Sequence, residues 1–458
     1  MRNQIPTLLM LPCPATGHVN PMITIALKLV QNGCNIIFVN TEFNHNRVVK
    51  QEIIDNESSI KFMSIKDGLG SENDRSNAGE LCESMLKNMP SMLEKLIEEI
   101  HLSSDHRICC IIADMAMGWA MEVACKLRIK GALFWTGSAV MFALTSNTSM
   151  LIDNGVIDSQ GMPLTTRRFQ LLPDMPAVMD TNVIWWSKIS NTTIQKKVYN
   201  YFVQCMQYIN LTDWWLCNTT YELEPTTLSF VPKLLPIGPL LRSYDNAVAT
   251  VTATSIGQFW DEDLSCMSWL DQQPHNSVLY VAFGSSTLFD QNQFAELALG
   301  LELTNRPFLW VVRQDYHRSN KIAYTSEIRE NRGKIVGWAP QEKVLSHPAI
   351  ACFVSHCGWN STIEGLSNGV PFLCWPYFTD QFHNKTYICE ELKVGLGFDS
   401  NENGLIQSGD IKMKVDQLLN DENIRSRSLK VKEKLLSNIS KEGQSSMNLK
   451  RFVEWLKE

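Results

Sequence analysis

Apolar segments that alternate with helical patterns place the strongest constraint on how this chain folds. Near its start, the apolar segment 7–12 is followed by a helical pattern over 21–31 and by a second apolar segment, 35–40. Apolar residues at helical spacing, with Pro21 at the first helical position and Gly33 after the end, define the predicted helix. Because a strand, a helix and a second strand in this order form a parallel pair, the pattern predicts an α/β fold with a parallel sheet.

The same alternation recurs in two sets along the chain. In the first set, further strands are predicted at 108–113, 131–135 and 214–218, and a helix at 118–126. The strand at 214–218 is expected to be the last strand of this set. The second set has strands predicted at 278–283, 308–313, 333–337, 350–355 and 370–375, and a helix at 291–303. The segment 241–263 between the sets is polar and rich in small residues, as linkers are. Because 458 residues exceed one ordinary core, we predict two Rossmann-like domains, 1–240 and 264–440.

The last predicted helix carries more apolar surface than an isolated helix would expose. It spans 444–457 and includes Met447, Phe452, Val453, Trp455 and Leu456. Such a surface needs a partner. We therefore expect the segment 441–458 to pack back on the N-terminal domain.

The composition argues against several classes of protein. The net charge is −7 and no basic block offsets it, which disfavours a nucleic-acid partner. No segment approaches the length of a membrane span, and prolines interrupt the short N-terminal apolar run, which disfavours a signal peptide. The thirteen cysteines are scattered and include no CxxC pair, which indicates reduced thiols and not disulfides. We therefore expect a cytoplasmic protein, and a monomer.

Two polar residues follow predicted strands of the first set. His18 comes after the first strand, in a predicted loop, and Asp114 comes directly after the strand at 108–113. Ligands of open α/β sheets bind at the carboxyl ends of the strands. An imidazole there can serve as a general base, and a carboxylate can hold the proton on its other nitrogen. Each residue equally suits the cap of a helix N-terminus, so the residues alone leave both interpretations open.

Polar residues also gather at the strand ends of the second set. They are Ser285 in the turn FGSS, His356, Asn360 and Ser361 in HCGWNS, Glu364 one helical turn later, and Asp380 and Gln381 after PFLCWP. A strand-to-helix turn attracts phosphate, because its backbone N–H groups and the helix dipole favour an anion. Trp338 offers a flat face to a base, and Glu364 can reach ribose hydroxyls. Each polar residue alone suits a cap or a turn, whereas together they indicate a nucleotide-sugar site.

Two other kinds of site fit the sequence less well. His347, Cys352, His356 and Cys357 have the chemistry of zinc ligands, but His356 and Cys357 are adjacent and Cys352 lies within a predicted buried strand. No GxGxxG follows the first strand, which disfavours a nicotinamide-dependent oxidoreductase. We therefore expect neither a metal nor an organic cofactor.

The segment 338–381 resembles the signature box of the plant family 1 UDP-dependent glycosyltransferases, which act on small molecules. The resemblance extends over nearly the whole chain, through PCPATGHVNP at 12–21, FWT at 134–136, IGP at 237–239, SWLD at 268–271 and YVAFGS at 280–285. It implies a GT-B fold, in which two Rossmann-like domains face each other across a cleft.

The resemblance also implies a role for each matching residue. His18 would be the catalytic base and Asp114 its partner. Trp338, Ala339 and Gln341 would hold the uracil, Ser285, His356, Asn360 and Ser361 the diphosphate, Glu364 the ribose, and Thr136, Trp359, Asp380 and Gln381 the sugar. A glutamine at the position of Gln381 is associated with glucose donors.

The reaction implied is an inverting, metal-independent transfer of glucose from UDP-glucose, which is a co-substrate, to a hydroxyl of a small lipophilic acceptor. A phenolic, flavonoid, terpenoid or hormone acceptor would become a β-O-glucoside. There are two alternatives. The protein could use the same mechanism with another UDP-sugar, or it could bind a UDP-sugar without catalysis. The segments 67–90 and 172–206 of the N-terminal domain are expected to shape the acceptor pocket.

Overall fold

The computed structural model describes residues 5–48, 60–70, 75–103, 107–164, 168–171, 178–180, 191–212, 214–242, 259–313 and 332–458. The chain divides into an N-terminal unit, Met1–Phe259 with Asn438–Glu458, and a C-terminal unit, Trp260–Ser437. Most of the predicted linker and part of the predicted acceptor segment 172–206 lie outside the described residues.

The N-terminal unit is built on a seven-stranded parallel sheet. The strands of this unit are β1 (Thr7–Leu11), β2 (Asn35–Thr41), β3 (Ile60–Ile65), β4 (Ile108–Asp114), β5 (Lys130–Trp135), β6 (Arg168–Gln170), β7 (Val178–Asp180), β8 (Trp214–Cys217) and β9 (Leu234–Pro236). The sheet order is β3-β2-β1-β4-β5-β8-β9, while β6 and β7 form a separate antiparallel pair. The order reverses between β1 and β4, which makes that position the switch point where ligands of such sheets bind.

The C-terminal unit is built on a six-stranded parallel sheet. Its strands are β10 (Val278–Ala282), β11 (Phe308–Val311), β12 (Gly333–Val336), β13 (Ile350–Ser355), β14 (Phe372–Cys374) and β15 (Gly395–Gly397). The sheet order is β12-β11-β10-β13-β14-β15, and the switch point lies between β10 and β13. The prediction of an α/β protein with two parallel sheets is therefore confirmed.

Helices connect these strands. Those described are Thr16–Gln31, Glu42–Val48, Ala78–Ser103, Ala120–Leu127, Ala139–Ser146, Thr148–Asp153, Thr192–Gln207, Pro225–Phe230, Ser265–Leu270, Gln291–Leu303, Gln341–Ser346, Trp359–Asn368, Gln381–Thr386, Ser408–Leu419, Glu422–Asn438 and Gln444–Lys457. Shorter 3₁₀ turns span Met115–Met117 and Tyr208–Leu211, and a π-helical turn spans Tyr387–Glu391. Across the described parts of the chain, no helix combines the length and the apolar character needed to cross a bilayer.

Two predicted boundaries are wrong. The first helix begins at Thr16 and contains Pro21, so His18 lies in its first turn and not in a loop. Pro21 is the sixth residue of this helix, so it lacks the N–H that would otherwise bond to the carbonyl oxygen of Gly17. The N-terminal sheet also does not end with β8, because the three-residue strand β9 pairs beside it. A strand of this length is too short to show a periodicity in sequence.

The C-terminal helix Gln444–Lys457 contributes to the core of the N-terminal unit. Phe452, Val453 and Leu456 are buried in the same apolar cluster as residues of β1 and β2. The ring of Trp214 in β8 lies 5.2 Å from that of Phe452 and 5.6 Å from that of Trp455. The apolar face of this helix is therefore covered by the first sheet's own core.

Candidate active site

His18, Asp114 and Thr136 meet at the switch point of the N-terminal sheet. His18 follows β1, Asp114 is the last residue of β4, and Thr136 follows β5, and these three strands are neighbours. The Nδ1 of His18 lies 2.7 Å from Oδ2 of Asp114 and 3.1 Å from Oγ1 of Thr136. Parallel strands thus bring together three side chains that are distant in sequence.

The pair of His18 and Asp114 defines which nitrogen of the imidazole carries the proton. A carboxylate only accepts hydrogen bonds, so Nδ1 is protonated and donates to Asp114. In a neutral His18 with its proton on Nδ1, Nε2 is the nitrogen that can accept a proton from a hydroxyl. The side chain of His18 is 32% exposed whereas that of Asp114 is 1% exposed, so the imidazole is the accessible member of the pair.

Asp114 fulfils both roles that the sequence left open. Its Oδ1 accepts a hydrogen bond of 2.8 Å from the backbone N–H of Ala116 and caps the turn Met115–Met117. Its Oδ2 remains for His18. The cap fixes the orientation of the carboxylate and thereby the orientation of the imidazole.

Glu224, which the sequence did not single out, supports the loop that carries Thr136. Its side chain is 4% exposed and lies at the N-terminus of the helix Ala139–Ser146. Its Oε2 accepts from the backbone N–H of Ala139 at 2.8 Å and the hydroxyl of Thr219 at 2.6 Å, and its Oε1 accepts from the N–H of Val140 at 3.0 Å. Burial raises the pKa of Glu224, and these hydrogen bonds oppose the rise.

In the C-terminal unit, the turns after β10 and β13 meet around His356. A Cβ atom placed on either Gly284 or Gly358 would lie 2.6 Å from Nε2 of His356, so both turns need glycine. Gly284 also has a φ of +67°, which L-residues rarely adopt. Ser285 and the loop HCGWNS therefore lie at one edge of the sheet, as the sequence predicts.

His356 is neutral at physiological pH. Loss of solvation lowers its pKa to about 4, although a hydrogen bond with the Ala282 backbone partly opposes this. A neutral imidazole can donate one hydrogen bond to a phosphate oxygen but adds no positive charge. The positive potential at this edge therefore comes from the N-terminus of the helix Trp359–Asn368, where Asn360 and Ser361 lie in the first turn.

Gln341 connects the residues predicted to hold the nucleoside. Its Nε2 donates to Oγ of Ser361 at 2.7 Å and to Oε2 of Glu364 at 2.6 Å. Its Oε1 accepts from the hydroxyl of Tyr280, which is buried in β10, at 3.2 Å. Tyr280 was not predicted as a site residue. Because the Glu364 carboxylate only accepts hydrogen bonds, it requires Nε2 of the Gln341 amide to face it, and the Tyr280 hydroxyl donates to the amide oxygen on the other side.

Trp338 and Ala339 follow β12, on the loop before the helix Gln341–Ser346. Ala339 is buried and the indole of Trp338 is half-buried. The ring of Trp260 stacks on Trp338 with centroids 4.6 Å apart and an interplanar angle of 28°. Trp260 falls near the C-terminal end of the segment 241–263 that the sequence predicts as a linker.

Asp380 and Gln381 follow β14 at the same edge of the sheet. Oε1 of Gln381 accepts from the N–H groups of Tyr377 at 2.8 Å and Phe378 at 3.0 Å, which leaves its Nε2 to donate to a ligand. Oδ2 of Asp380 accepts from Asn384 at 2.8 Å.

Asn384 also donates to the carbonyl oxygen of Cys357 at 2.9 Å, so it ties this turn to the HCGWNS loop. Trp359 is buried at the start of its helix. Both observations place the box residues around one strand-to-helix turn.

The predicted residues thus fall into two groups. His18, Asp114 and Thr136 lie in the N-terminal unit, and all the others lie in the C-terminal unit. Thr136, predicted to hold the sugar, lies beside His18. Within the described residues, no group of three or more His, Cys, Asp or Glu side chains could hold a metal ion.

His383 makes the stability of the fold depend on pH. It is 3% exposed, and burial lowers its pKa from 6.5 to about 4. Between these values the unfolded chain binds a proton that the folded chain excludes, so stability falls as the pH drops from about 6.5 towards 4. In a His383→Gln variant, the free energy of unfolding should fall by up to about 1.4 kcal/mol less per pH unit than in the wild type. Urea unfolding of both proteins at pH 7, 6 and 5 measures the difference, and parallel pH profiles would contradict it.

Two units, each built on a parallel sheet with helices on its connections, are the architecture of the GT-B fold. Solved structures agree with this fold. Os79 from O. sativa, in complex with UDP, superimposes with a TM-score of 0.83 over 98% of this chain and 100% of that chain, at 23% identity.

The sequence comparisons identify the family. Residues 248–456 match the family model described as "UDP-glucoronosyl and UDP-glucosyl transferase". UDP-glycosyltransferase 83A1 of Arabidopsis thaliana is 41% identical over 463 residues, covering 99% of this chain and 97% of that protein. The 7-deoxyloganetin glucosyltransferase of Gardenia jasminoides is 32% identical over 469 residues, covering 97% and 96%. The chain belongs to the plant family 1 UDP-glycosyltransferases.

Proposed function

We propose that this UDP-glycosyltransferase transfers glucose from UDP-glucose to a hydroxyl of a small lipophilic acceptor and forms a β-O-glucoside. The observation that carries the proposal is the 2.7 Å contact between His18 Nδ1 and Asp114 Oδ2, in which the imidazole is the more exposed member of the pair. A phenolic, flavonoid, terpenoid or hormone hydroxyl is the class of acceptor.

In the proposed reaction, Nε2 of His18 takes the proton of the acceptor hydroxyl as its oxygen attacks the anomeric carbon of UDP-α-glucose. The bond between that carbon and the diphosphate oxygen breaks on the opposite face, so the configuration inverts and UDP leaves with the bonding electrons. Asp114 stabilises the imidazolium that forms. The proton is then released to solvent, which restores the base.

The C-terminal unit supplies the proposed donor site. Trp338, Ala339 and Gln341 would hold the uracil. Ser285, His356, Asn360 and Ser361 would hold the diphosphate, and Glu364 would hold the ribose. Trp359, Asp380 and Gln381, together with Thr136, would hold the glucose. The helix N-terminus and neutral hydrogen-bond donors would stabilise the leaving diphosphate. We therefore propose a reaction without a metal or organic cofactor.

Glucose is the proposed sugar because Gln381 offers an N–H donor and Asp380 an acceptor to its hydroxyls. The glucosyltransferase activity in the name of the Gardenia relative supports the same donor. We further propose that the protein is a monomer that works in the cytoplasm. Its thirteen cysteines are free thiols, which suits a reducing compartment.

The test is a turnover assay with UDP-glucose and UDP-galactose against a panel of phenols, flavonoids and terpenoid alcohols. We expect kcat/KM to favour UDP-glucose by about tenfold or more, and EDTA to leave the rate unchanged. NMR of the product should show a β-glucoside. An α-linked product or a metal requirement would contradict the mechanism, and UDP binding without turnover on any acceptor would instead favour a UDP-sugar-binding protein.

A further inference from the structure

Trp260 lies outside the signature box and packs against Trp338 inside it. Its indole stacks on that of Trp338 with ring centroids 4.6 Å apart and planes inclined by 28°. Both residues belong to the C-terminal unit. This geometry is the offset stacking that aromatic pairs prefer, so the contact has the form of a specific packing interaction.

The backbone around Trp260 is attached to the same loop. The N–H of Asp263 donates to the carbonyl oxygen of Trp338 at 2.9 Å. The carboxylate of Asp263 in turn accepts from the N–H of Ser265 at 2.9 Å, at the start of the helix Ser265–Leu270. The segment that carries Trp260 is therefore held against Trp338 by the main chain as well as by the ring contact.

An indole has two faces, and Trp260 covers one face of Trp338. Trp338 is nevertheless only half-buried as a residue. We propose that Trp260 is a positioning residue of the donor site. It fixes the plane of Trp338, so that the uracil of the UDP-sugar stacks on the opposite face and completes a three-layer stack. This inference rests on the proposed role of Trp338 as the base-stacking residue.

The physical effect is one of preorganisation. Without Trp260, the Trp338 ring would sample more orientations, and the binding of a base would have to select one of them at an entropic cost. The uracil would also stack on the Trp338 indole alone, with water in contact with the other face of that ring. An aromatic pair of this kind corresponds to a factor of roughly three to ten in affinity.

A double-mutant cycle tests the proposal with UDP as the ligand and inorganic pyrophosphate as a probe that has no base. The variants are Trp260→Ala, Trp338→Ala and the double variant, with dissociation constants measured by calorimetry. We expect W260A to weaken UDP binding roughly three- to tenfold and to leave pyrophosphate binding unchanged. In the W338A background, the W260A change should have no further effect. KM for UDP-glucose should rise while kcat at saturation stays the same.

Other outcomes overturn the proposal. Tighter UDP binding by W260A would mean that Trp260 occupies the place of the base and has to be displaced. Equal weakening of pyrophosphate, or the same weakening in the W338A background, would mean that Trp260 only maintains the fold. If W338A itself binds UDP as the wild type does, the proposed donor site fails, which is a separate result.

Two further variants keep the test decisive if W260A does not fold. Trp260→Leu keeps apolar volume without a ring and should weaken UDP binding as W260A would. Trp260→Phe keeps a ring that can stack and should bind UDP close to the wild-type affinity. Circular dichroism adds a structural readout, because two stacked indoles couple excitonically and this signal should be absent from W260L. Wild-type UDP affinity in W260L would overturn the proposal.

Discussion

Replacing His18 with alanine should lower kcat by a factor of about 10² to 10⁴ with any hydroxyl acceptor. His18 offers an accessible nitrogen whose partner nitrogen lies 2.7 Å from the Asp114 carboxylate. Without the imidazole, no group in the pair can take the acceptor proton as the new bond forms. Steady-state kinetics with saturating UDP-glucose measure the loss, and calorimetry should show an unchanged affinity for UDP.

Asp114→Asn provides a matched variant for this prediction. Its side-chain oxygen can still accept the N–H of Ala116 and cap the turn, so the fold should persist. Its amide would instead donate to Nδ1 of His18, which moves the imidazole proton to Nε2 and blocks the base. We expect a loss of kcat comparable to that of H18A. Near-normal turnover in either variant would show that His18 is not the base.

Replacing Glu224 with alanine should destabilise the N-terminal unit by about 3 kcal/mol or more. The buried carboxylate accepts hydrogen bonds from Ala139, Val140 and Thr219 at the start of one helix. Alanine would leave these donors buried without an acceptor, and unpaired buried donors cost more than the bonds contribute. Denaturant unfolding followed by tryptophan fluorescence measures the change.

Glu224→Gln is the control that separates shape and hydrogen bonding from charge. It keeps the volume and one acceptor oxygen, and burial already disfavours the ionised form, as the raised pKa of Glu224 indicates. We therefore expect E224Q to be clearly more stable than E224A. A Gln variant as unstable as the Ala variant would show that the negative charge at the helix N-terminus is what matters.

Much of the donor site could be predicted because its residues are close together in sequence. The turn HCGWNS, Glu364 and the Asp380–Gln381 pair all follow buried strands, and buried parallel strands read as continuous apolar runs. Strands that follow one another in sequence and pair in parallel bring their carboxyl ends to one edge. The location of these residues therefore follows from local patterns alone.

The supporting residues could not be predicted in the same way. Tyr280 bonds to Gln341 across 61 positions, and Glu224 bonds to Ala139 across 85. No periodicity indicates which buried polar group meets which, because such pairs depend on how strands and loops pack. The contact of Trp260 with Trp338 could not be predicted for a different reason, because the segment around Trp260 has the composition of a linker.

The sequence by itself determined the two parallel sheets, the family and the positions of the candidate site residues at the strand ends, because each is encoded in apolar runs and motifs of neighbouring residues. The tertiary structure alone decided that Nδ1 of His18 faces Asp114, that Gln341 lies between Glu364 and Tyr280, and that one face of Trp338 is covered by Trp260. These are distances and orientations between residues far apart in the chain. They arise only when the sheet order places the ends of non-consecutive strands side by side.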